Sequence, residues 1–364
     1  MQSNLSSDVI VEILMRLPVK SFCRFKCVCK LWCLLISDPT FIKRHLNLAI
    51  IDKDIEHQRQ KLILRSSSTP SLYHVECDAM TSNDVMAVKL HFPLIRSSFD
   101  KVKFIGSFNG LLCISLEPER LFLFNPAIRE LKVKRIPNLY IDINRSLDDR
   151  VSRPPIYGFG YDHSFDDYNV VKIMYESIVY VYSLKTDTWR RAQRFSYRRF
   201  NSDSGVHLNG AVHWVFARGK DSPLVSMPRL IVAFDFAEGK FRELPRPYDD
   251  AENVTAVGVL GGCLCWLGEQ QDFWVMKEYG VKESWTKVVI GVPFLNLRPL
   301  SFLKNDEALL VINEGLIVYN PREDTHREIV IHGVDGRGKL EIETYVESLV
   351  SPNVWNWELK EISD

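Results

Sequence analysis

The feature that most constrains this chain is a tight turn that keeps returning. Asn109-Gly110, Asn209-Gly210, Gly261-Gly262 and Asn305-Asp306 each separate two short apolar runs. Such pairs tolerate the left-handed backbone of a two-residue hairpin, so the flanking runs read as strands. The same parts recur around each turn: apolar strand, turn, apolar strand, a third strand ending in Phe-Asn-Pro, Phe-Asp-Phe or Tyr-Asn-Pro, then an amphipathic fourth strand. One set is Lys103–Phe108, Leu111–Ser115, Leu121–Phe124 and Glu130–Ile136, and others centre on 157–189, 206–245, 257–290 and 300–331. With Lys61–Arg65 and Leu72–Glu76 this makes about six four-stranded units between Lys61 and Val350, at a spacing of roughly 40 to 60 residues. Repeated four-stranded units at that spacing predict the blades of a β-propeller. Leu340–Val350 alternates enough to be a strand that closes the ring and removes its open edges. A β-sandwich with several hairpins is the alternative, because the repeats are degenerate and no Gly-Gly doublet recurs regularly.

Residues 1–46 carry a different period. Val9, Ile10, Ile13, Leu14 and Leu17 recur at helical spacing, with Ser6 or Ser7 placed to cap and Pro18 placed to stop the helix. A second helix is predicted from Ser21 to about Val28 and a third from Lys30 to Ile36. Ser37-Asp38-Pro39 then opens a short fourth, with proline at its first position. Helices this short cannot bury Leu17, Phe22, Phe25 and Trp32 against one another. Either the segment caps its own chain, or its apolar surface is an interaction site.

Acids and bases are equal, 46 of each. That balance argues against nucleic acid as the general partner. Residues 1–46 depart from it, with seven basic side chains (Arg16, Lys20, Arg24, Lys26, Lys30, Lys43, Arg44) against Asp8, Glu12 and Asp38. An acidic partner surface would suit that excess. No run approaches the roughly 20 apolar residues of a membrane span, and no signal region opens the sequence, so a cytoplasmic or nuclear location without a membrane partner is expected. Eight cysteines without a Cys-x-x-Cys pair fit a reducing compartment. Cys23, Cys27, Cys29 and Cys33 fall on predicted helices and no histidine joins them at zinc spacing, so no metal is expected.

The N-terminal residues resemble the F-box. The resemblance rests on Leu5-x-x-Asp8, the run Ile13-Leu14-x-x-Leu17-Pro18-Val19-Lys20-Ser21, the run Arg24-Phe25-Lys26-Cys27-Val28-Cys29-Lys30-x-Trp32, and Ile36-x-Asp38-Pro39-x-Phe41. Ser6-Ser7 stand where many members have a proline. The resemblance implies docking on a Skp-type adaptor and, through it, on a cullin and a RING protein. It also implies that Leu5, Ile13, Leu14, Leu17, Pro18, Val19, Phe25, Val28 and Trp32 form the adaptor-facing or supporting set. The C-terminal part resembles the plant F-box-associated interaction domain. Its marks are Gly106-Ser107-x-Asn109-Gly110-Leu111-Leu112, Asn125-Pro126-Ala127-x-Arg129, Gly158-Phe159-Gly160-Tyr161-Asp162, Asp166-Asp167-Tyr168, Val212-His213-Trp214 and the stretch from Trp274 to Thr286. That family is kelch-like and includes constitutive-defence regulators and S-locus pollen proteins, with targets that differ from member to member.

The residues supply little chemistry of their own. Gly158-Phe159-Gly160 lacks a third glycine and a following helix, so no dinucleotide site is read there. Asp162, Asp166 and Asp167 lack calcium-loop spacing, and His213 before Trp214 reads as a core histidine. No nucleophile comes with an identifiable base; neither an enzyme nor a cofactor is expected. The run from Trp189 to Phe200 interleaves arginines and aromatics. Arg190, Arg191, Arg194, Tyr197, Arg198 and Arg199 are therefore candidate contacts for an acidic or phosphorylated target. The alternative there is a solvated inter-blade loop, and 138–153, 217–229 and 244–253 are other candidate surfaces.

The expected architecture is α+β and multidomain. A small N-terminal helical F-box (1–46) and a linker (47–60) precede an all-β, propeller-like, about six-bladed, kelch-like domain (61–350) and a tail (351–364). The function implied is target recognition in a Skp–cullin–F-box ubiquitin ligase, with an adaptor-binding scaffold or decoy lacking ligase output as the alternative.

Overall fold

A computed structural model describes residues 7–69, 71–90, 102–116, 120–135, 155–174, 178–193, 195–199, 204–218, 228–248, 254–268, 270–335 and 338–353. Five helices open the chain: α1 (Ser7–Met15), α2 (Val19–Phe25), α3 (Lys30–Ser37), α4 (Pro39–Ile51) and α5 (Lys53–Arg59). Their boundaries are chemical. Pro18, extended at φ −61° and ψ 147°, precedes α2. Cys29 caps α3, its Sγ accepting the Trp32 N–H at 3.5 Å. Asp38 caps α4, its Oδ1 accepting from the Thr40 and Phe41 amides at 2.8 and 3.1 Å. Asp52 does the same for α5.

The expected linker, 47–60, is helical almost throughout. Helix α4 continues to Ile51 because Leu48 and Ala49 extend the stripe begun by Phe41 and His45. Helix α5 buries Ile55 and Arg59. The polar residues between these anchors disguised the pattern.

Six sheets follow. Blade 1 is Leu340–Val346, Gln60–Ser66, Leu72–Glu76 and Val88–Leu90, written from its innermost strand outward. Blade 2 is Val102–Phe108, Leu111–Leu116, Arg120–Asn125 and Glu130–Arg135, and blade 3 is Ile156–Asp162, Asp167–Met174, Ile178–Ser183 and Thr188–Arg191. In blade 4, Val206–Leu208 and Arg198–Arg199 share the inner edge of Ala211–Ala217, followed by Arg229–Asp235 and Lys240–Leu244. Blade 5 is Val254–Leu260, Cys263–Gly268, Gln270–Met276 and Trp285–Phe294. Blade 6 is Leu297–Phe302, Ala308–Ile312, Gly315–Asn320 and Thr325–His332, extended by Asp84–Met86 in parallel. The innermost strands touch one another in a closed circuit. Blade 1 takes its inner strand from the end of the sequence, pairing Gln60 with Val346 and Ser66 with Leu340. The ring is a six-bladed propeller, and the sandwich alternative falls.

Each inter-blade gap holds its own core. Ile63, Phe122 and Tyr345 fill the gap between blades 1 and 2, and Leu123, Tyr168 and Tyr182 the next. Val181 and Trp214 meet between blades 3 and 4, Val215 and Trp266 between 4 and 5, Cys265 and Leu310 between 5 and 6, Leu64 and Val318 between 6 and 1. Both faces of a central strand are therefore buried, which explains its nearly unbroken apolar run. The turns between third and fourth strands share a device. Arg129, Asp187, Gly239 and Asp324 all adopt positive φ, between 51° and 66°. Both aspartates are clasped by a tyrosine five residues earlier: Tyr182 donates to Asp187 at 2.5 Å and Tyr319 to Asp324 at 2.8 Å.

The helices sit on the face that carries these turns. After closing blade 1 the chain runs beneath them. Ser348 Oγ donates to the Asn109 carbonyl at 2.8 Å, and Asn125 Nδ2 donates to the Ser348 and Val350 carbonyls at 3.0 and 2.7 Å. Gly110, at φ 83°, makes the close passage possible: a Cβ there would strike the Ser348 side chain and come within 2.8 Å of the Val346 carbonyl. Leu349 then enters the helical core with Leu14, Val19, Phe22, Ile36 and Phe41, and Ala127 and Ile128 of the propeller close its underside.

Candidate functional site

Three short helices present a mixed surface whose two faces have different tasks. Of the nine predicted adaptor-facing residues, Leu5 lies outside the described residues. Leu14 and Val19 are buried and hold the helices together. Leu17, Phe25 and Trp32 are half-buried, the last two in an edge-to-face contact with ring centroids 5.2 Å apart. Ile13, Pro18 and Val28 are exposed. The set thus divides into support and surface. The exposed apolar side chains also include Val9, Leu31 and Leu34, which the candidate set lacked; both leucines are 71% exposed. Lone exposed leucines mean little, but Val28, Leu31 and Leu34 within seven residues form an unsatisfied face. The signal was present in the sequence: Leu31 and Leu34 are three apart on α3, opposite the buried Ile36.

Hydrogen bonds and ion pairs tie the helices to one another and to the propeller. Arg59, at the end of α5, donates to the Met15 carbonyl at 2.9 Å and the His45 carbonyl at 2.7 Å. Its guanidinium also lies 3.3 Å from His45 Nδ1, while His45 Nε2 faces the Leu17 carbonyl. Burial, with the Arg59 charge beside it, pushes the His45 imidazole down to about 3, so it is neutral at pH 7. The Glu347 amide donates to the Arg59 carbonyl at 2.8 Å. Burial raises the Glu347 carboxyl, against the opposing pull of Lys61, Lys20 and Arg59. Ion pairs Lys43–Asp166 at 3.1 Å, Lys20–Glu76 at 3.6 Å and Lys304–Asp54 at 3.5 Å tie the rim. These are exposed and add little individually.

The predicted target-binding run is only partly a surface. Phe195 is 3% exposed and sits in the core between blades 3 and 4. Tyr197 packs against that core and donates to Glu243 at 3.0 Å. Arg198 and Arg199 are half-buried and pair with Ala217 and Phe216. Arg190 and Arg191 are exposed, and Arg194 lies outside the described residues. The aromatics that made the run resemble a binding stretch are there to bury the loop. Strand register still places its start usefully. Arg191 pairs with Tyr180 and Thr188 with Ser183, so the chain leaves blade 3 at the end opposite the Lys43–Asp166 contact. Ala217, Arg229 and Leu244 lie at that same far end, while 219–227 and 249–253 of the other two candidate surfaces lie outside the described residues. The helices and the strand ends Arg191, Ala217, Arg229 and Leu244 therefore lie at opposite ends of the blades. The 138–153 surface lies outside the described residues.

The other chemical candidates resolve into structure. His213 bonds to the Val206 carbonyl at 3.2 Å and the Tyr279 hydroxyl at 2.6 Å, and burial pushes it down to about 4. Asp162 caps its own turn through the Ser164 amide, Asp166 is held by Tyr161 and Lys43, and Asp167 accepts from the Ser183 hydroxyl and the Lys185 amide. Among the described residues no group of His, Cys, Asp and Glu is placed to hold a metal. No helix among them is long and apolar enough to cross a membrane.

Comparison with known families places both halves. Residues 2–44 match the F-box domain, and residues 62–357 match the F-box associated beta propeller domain. The chain is a plant F-box protein with an F-box-associated propeller. An F-box/kelch-repeat protein of Arabidopsis thaliana is 30% identical, the alignment covering 96% of both chains. F-box protein CPR1 of the same plant is 32% identical over 86% of this chain and 80% of its own. As an F-box protein it belongs to the substrate-recognition class, and the F-box implies a Skp-type adaptor as its partner.

Proposed function

We propose that this F-box protein is the target-holding subunit of a Skp–cullin–F-box ubiquitin ligase, working in the cytoplasm or nucleus. The observation that carries the reading is the set of exposed apolar side chains, Val9 and Ile13 on α1 and Val28, Leu31 and Leu34 at and before α3, on a unit seated against the propeller. Apolar burial would supply affinity there, and the local basic excess would speed encounter with an acidic partner. The target would be held at the end of the ring away from the helices, where Arg190 and Arg191 are exposed. The chain itself contributes proximity: it raises the effective concentration of target lysines near a ubiquitin-charged enzyme and makes no bond.

The test is co-purification of the full chain with a plant Skp-type adaptor and a cullin, comparing wild type with Leu31→Glu/Leu34→Glu. Wild type should bring down both partners and the variant neither, with unchanged circular dichroism. Adaptor without cullin would favour a scaffold or decoy. Equal binding by both variants would sink the docking face.

A further inference from the structure

Seven of the eight cysteines fall into two classes, and Cys263 is half-buried between them. Cys113 and Cys265 are wholly buried in inter-blade cores and Cys77 is nearly so. Burial raises all three thiols, Cys77 and Cys265 to about 12. Thiols of that kind are inert. Cys23, Cys27, Cys29 and Cys33 are exposed, all within eleven residues of α2, α3 and the turn between them. They lie among the residues that form the docking face. Cys27 and Cys29 flank Val28, which is 63% exposed, and Cys33 sits between Trp32 and Leu34. From Val19 to Ser37 the chain carries Lys20, Arg24, Lys26 and Lys30 and no acid. The Cys29 sulfur is also the cap of α3, through the Trp32 amide.

We propose that these four thiols, Cys29 foremost, are a modification site for an anionic low-molecular-weight disulfide of the glutathione type, and that the adduct closes the docking face. This rests on the adaptor-docking reading above. The step is thiol–disulfide exchange. Cys29, having lost its proton to solvent, attacks one sulfur of glutathione disulfide. The S–S bond of the reagent breaks, a Cys29–S–S–glutathione bond forms, and one glutathione leaves as thiolate. The protein sulfur is oxidised and the departing sulfur reduced, so no further oxidant is needed. Arg24, Lys26 and Lys30 draw the anionic reagent to the surface, Lys20 being paired with Glu76. The adduct then brings a bulky, negatively charged tripeptide among Val28, Leu31 and Leu34, where a partner would need bare apolar area and positive charge. It also alters the sulfur that caps α3.

The experiment uses the full chain in three arms. First, the reduced protein is incubated with glutathione disulfide, quenched with acid, and mapped by mass spectrometry without reduction. Adducts should appear on the peptides bearing Cys23 to Cys33, with Cys29 the fastest, and not on Cys113 or Cys265. Second, adaptor binding is measured before treatment, after it, and after dithiothreitol; it should fall at least tenfold and return on reduction. Third, Cys29→Ser, whose hydroxyl can take over the α3 cap, should lose most of the sensitivity, read as the ratio of treated to untreated adaptor affinity of the variant itself. Adducts that leave binding unchanged would overturn the proposal, as would treated thiols that stay unmodified in a folded chain. An internal disulfide in place of the adduct would overturn it too. If the reduced protein never binds adaptor, the docking reading fails by itself, and the first arm still decides whether the thiols form the adduct.

Discussion

The helical unit and the propeller solve the same problem in opposite ways. The propeller has six gaps between sheets and fills each with side chains from both neighbours, leaving Trp214 and Trp266 with no exposure at all. The helical unit is too small to do this. It borrows Leu349, Ala127 and Ile128 from the propeller for its underside and leaves Val28, Leu31 and Leu34 in solvent. A repeating architecture can seal itself because every blade supplies a face to the next. A short helical unit must find partners, one within the chain and one outside it.

The most severe way to break the comparison is to open one sealed gap. Trp214 is fully buried, and its indole N–H donates to the Tyr157 carbonyl at 3.0 Å. Trp214→Ala should cost about 3–5 kcal/mol, read by denaturant unfolding of the strand signal. If the loss stays below about 1 kcal/mol, the blades are not packed as described. Leu349→Ala tests the borrowed core instead. It should cost about 2–5 kcal/mol, read by hydrogen exchange as loss of protection in α1 to α4, with the amides of blades 3 to 5 unchanged. Loss across every blade would mean that the helical unit does not behave as a separable layer. Leu31→Glu/Leu34→Glu tests the outward face. Stability should move by no more than about 0.5 kcal/mol, while adaptor affinity falls at least tenfold, about 1.4 kcal/mol.

The sequence made these two regions unequally legible. The propeller was readable because its period is long and its turns are chemically marked. Asn109-Gly110 and Asn209-Gly210 supply positive φ at both positions, so the hairpins announce themselves. Asp84–Met86 was not readable. It is a three-residue strand with only Val85 buried, and it pairs with a strand more than two hundred residues away. The helices were readable from capping residues and Pro18, but which apolar face points outward was not. Leu14 and Leu31 have the same chemistry; one is buried because Leu349 lies against its helix layer, and nothing local to residues 1–46 discloses Leu349. The aromatics of the arginine-aromatic run were hard to read for a related reason. Phe195 and Tyr197 look like contact residues until blade 4 arrives to cover them.

The gentlest probe of the comparison is acid, because each region holds a histidine whose imidazole is desolvated. His45 belongs to the helical unit, and His207 and His213 to blade 4. Burial is the first cause in all three, and it lowers them from 6.5 to about 3, 3 and 4. The sign follows from proton counting. Between the folded and unfolded values the unfolded chain binds the proton and the folded chain does not, so stability is complete above 6.5 and is lost as pH falls. From pH 7 to pH 6 each histidine should remove about 0.7 kcal/mol, and further down about 1.4 kcal/mol per pH unit. Glu347 and Asp167 oppose this, since burial raises their carboxyls and the folded state takes up their protons first. His45→Gln separates the regions. Read by hydrogen exchange at pH 7 and pH 5.5, it should flatten the pH dependence of protection in α1 to α4 and leave that of blade 4 unchanged. If both regions flatten together, the Arg59–His45–Glu347 junction joins them into one cooperative unit, and the contrast between a sealed ring and a borrowed core holds for their packing but not for their unfolding.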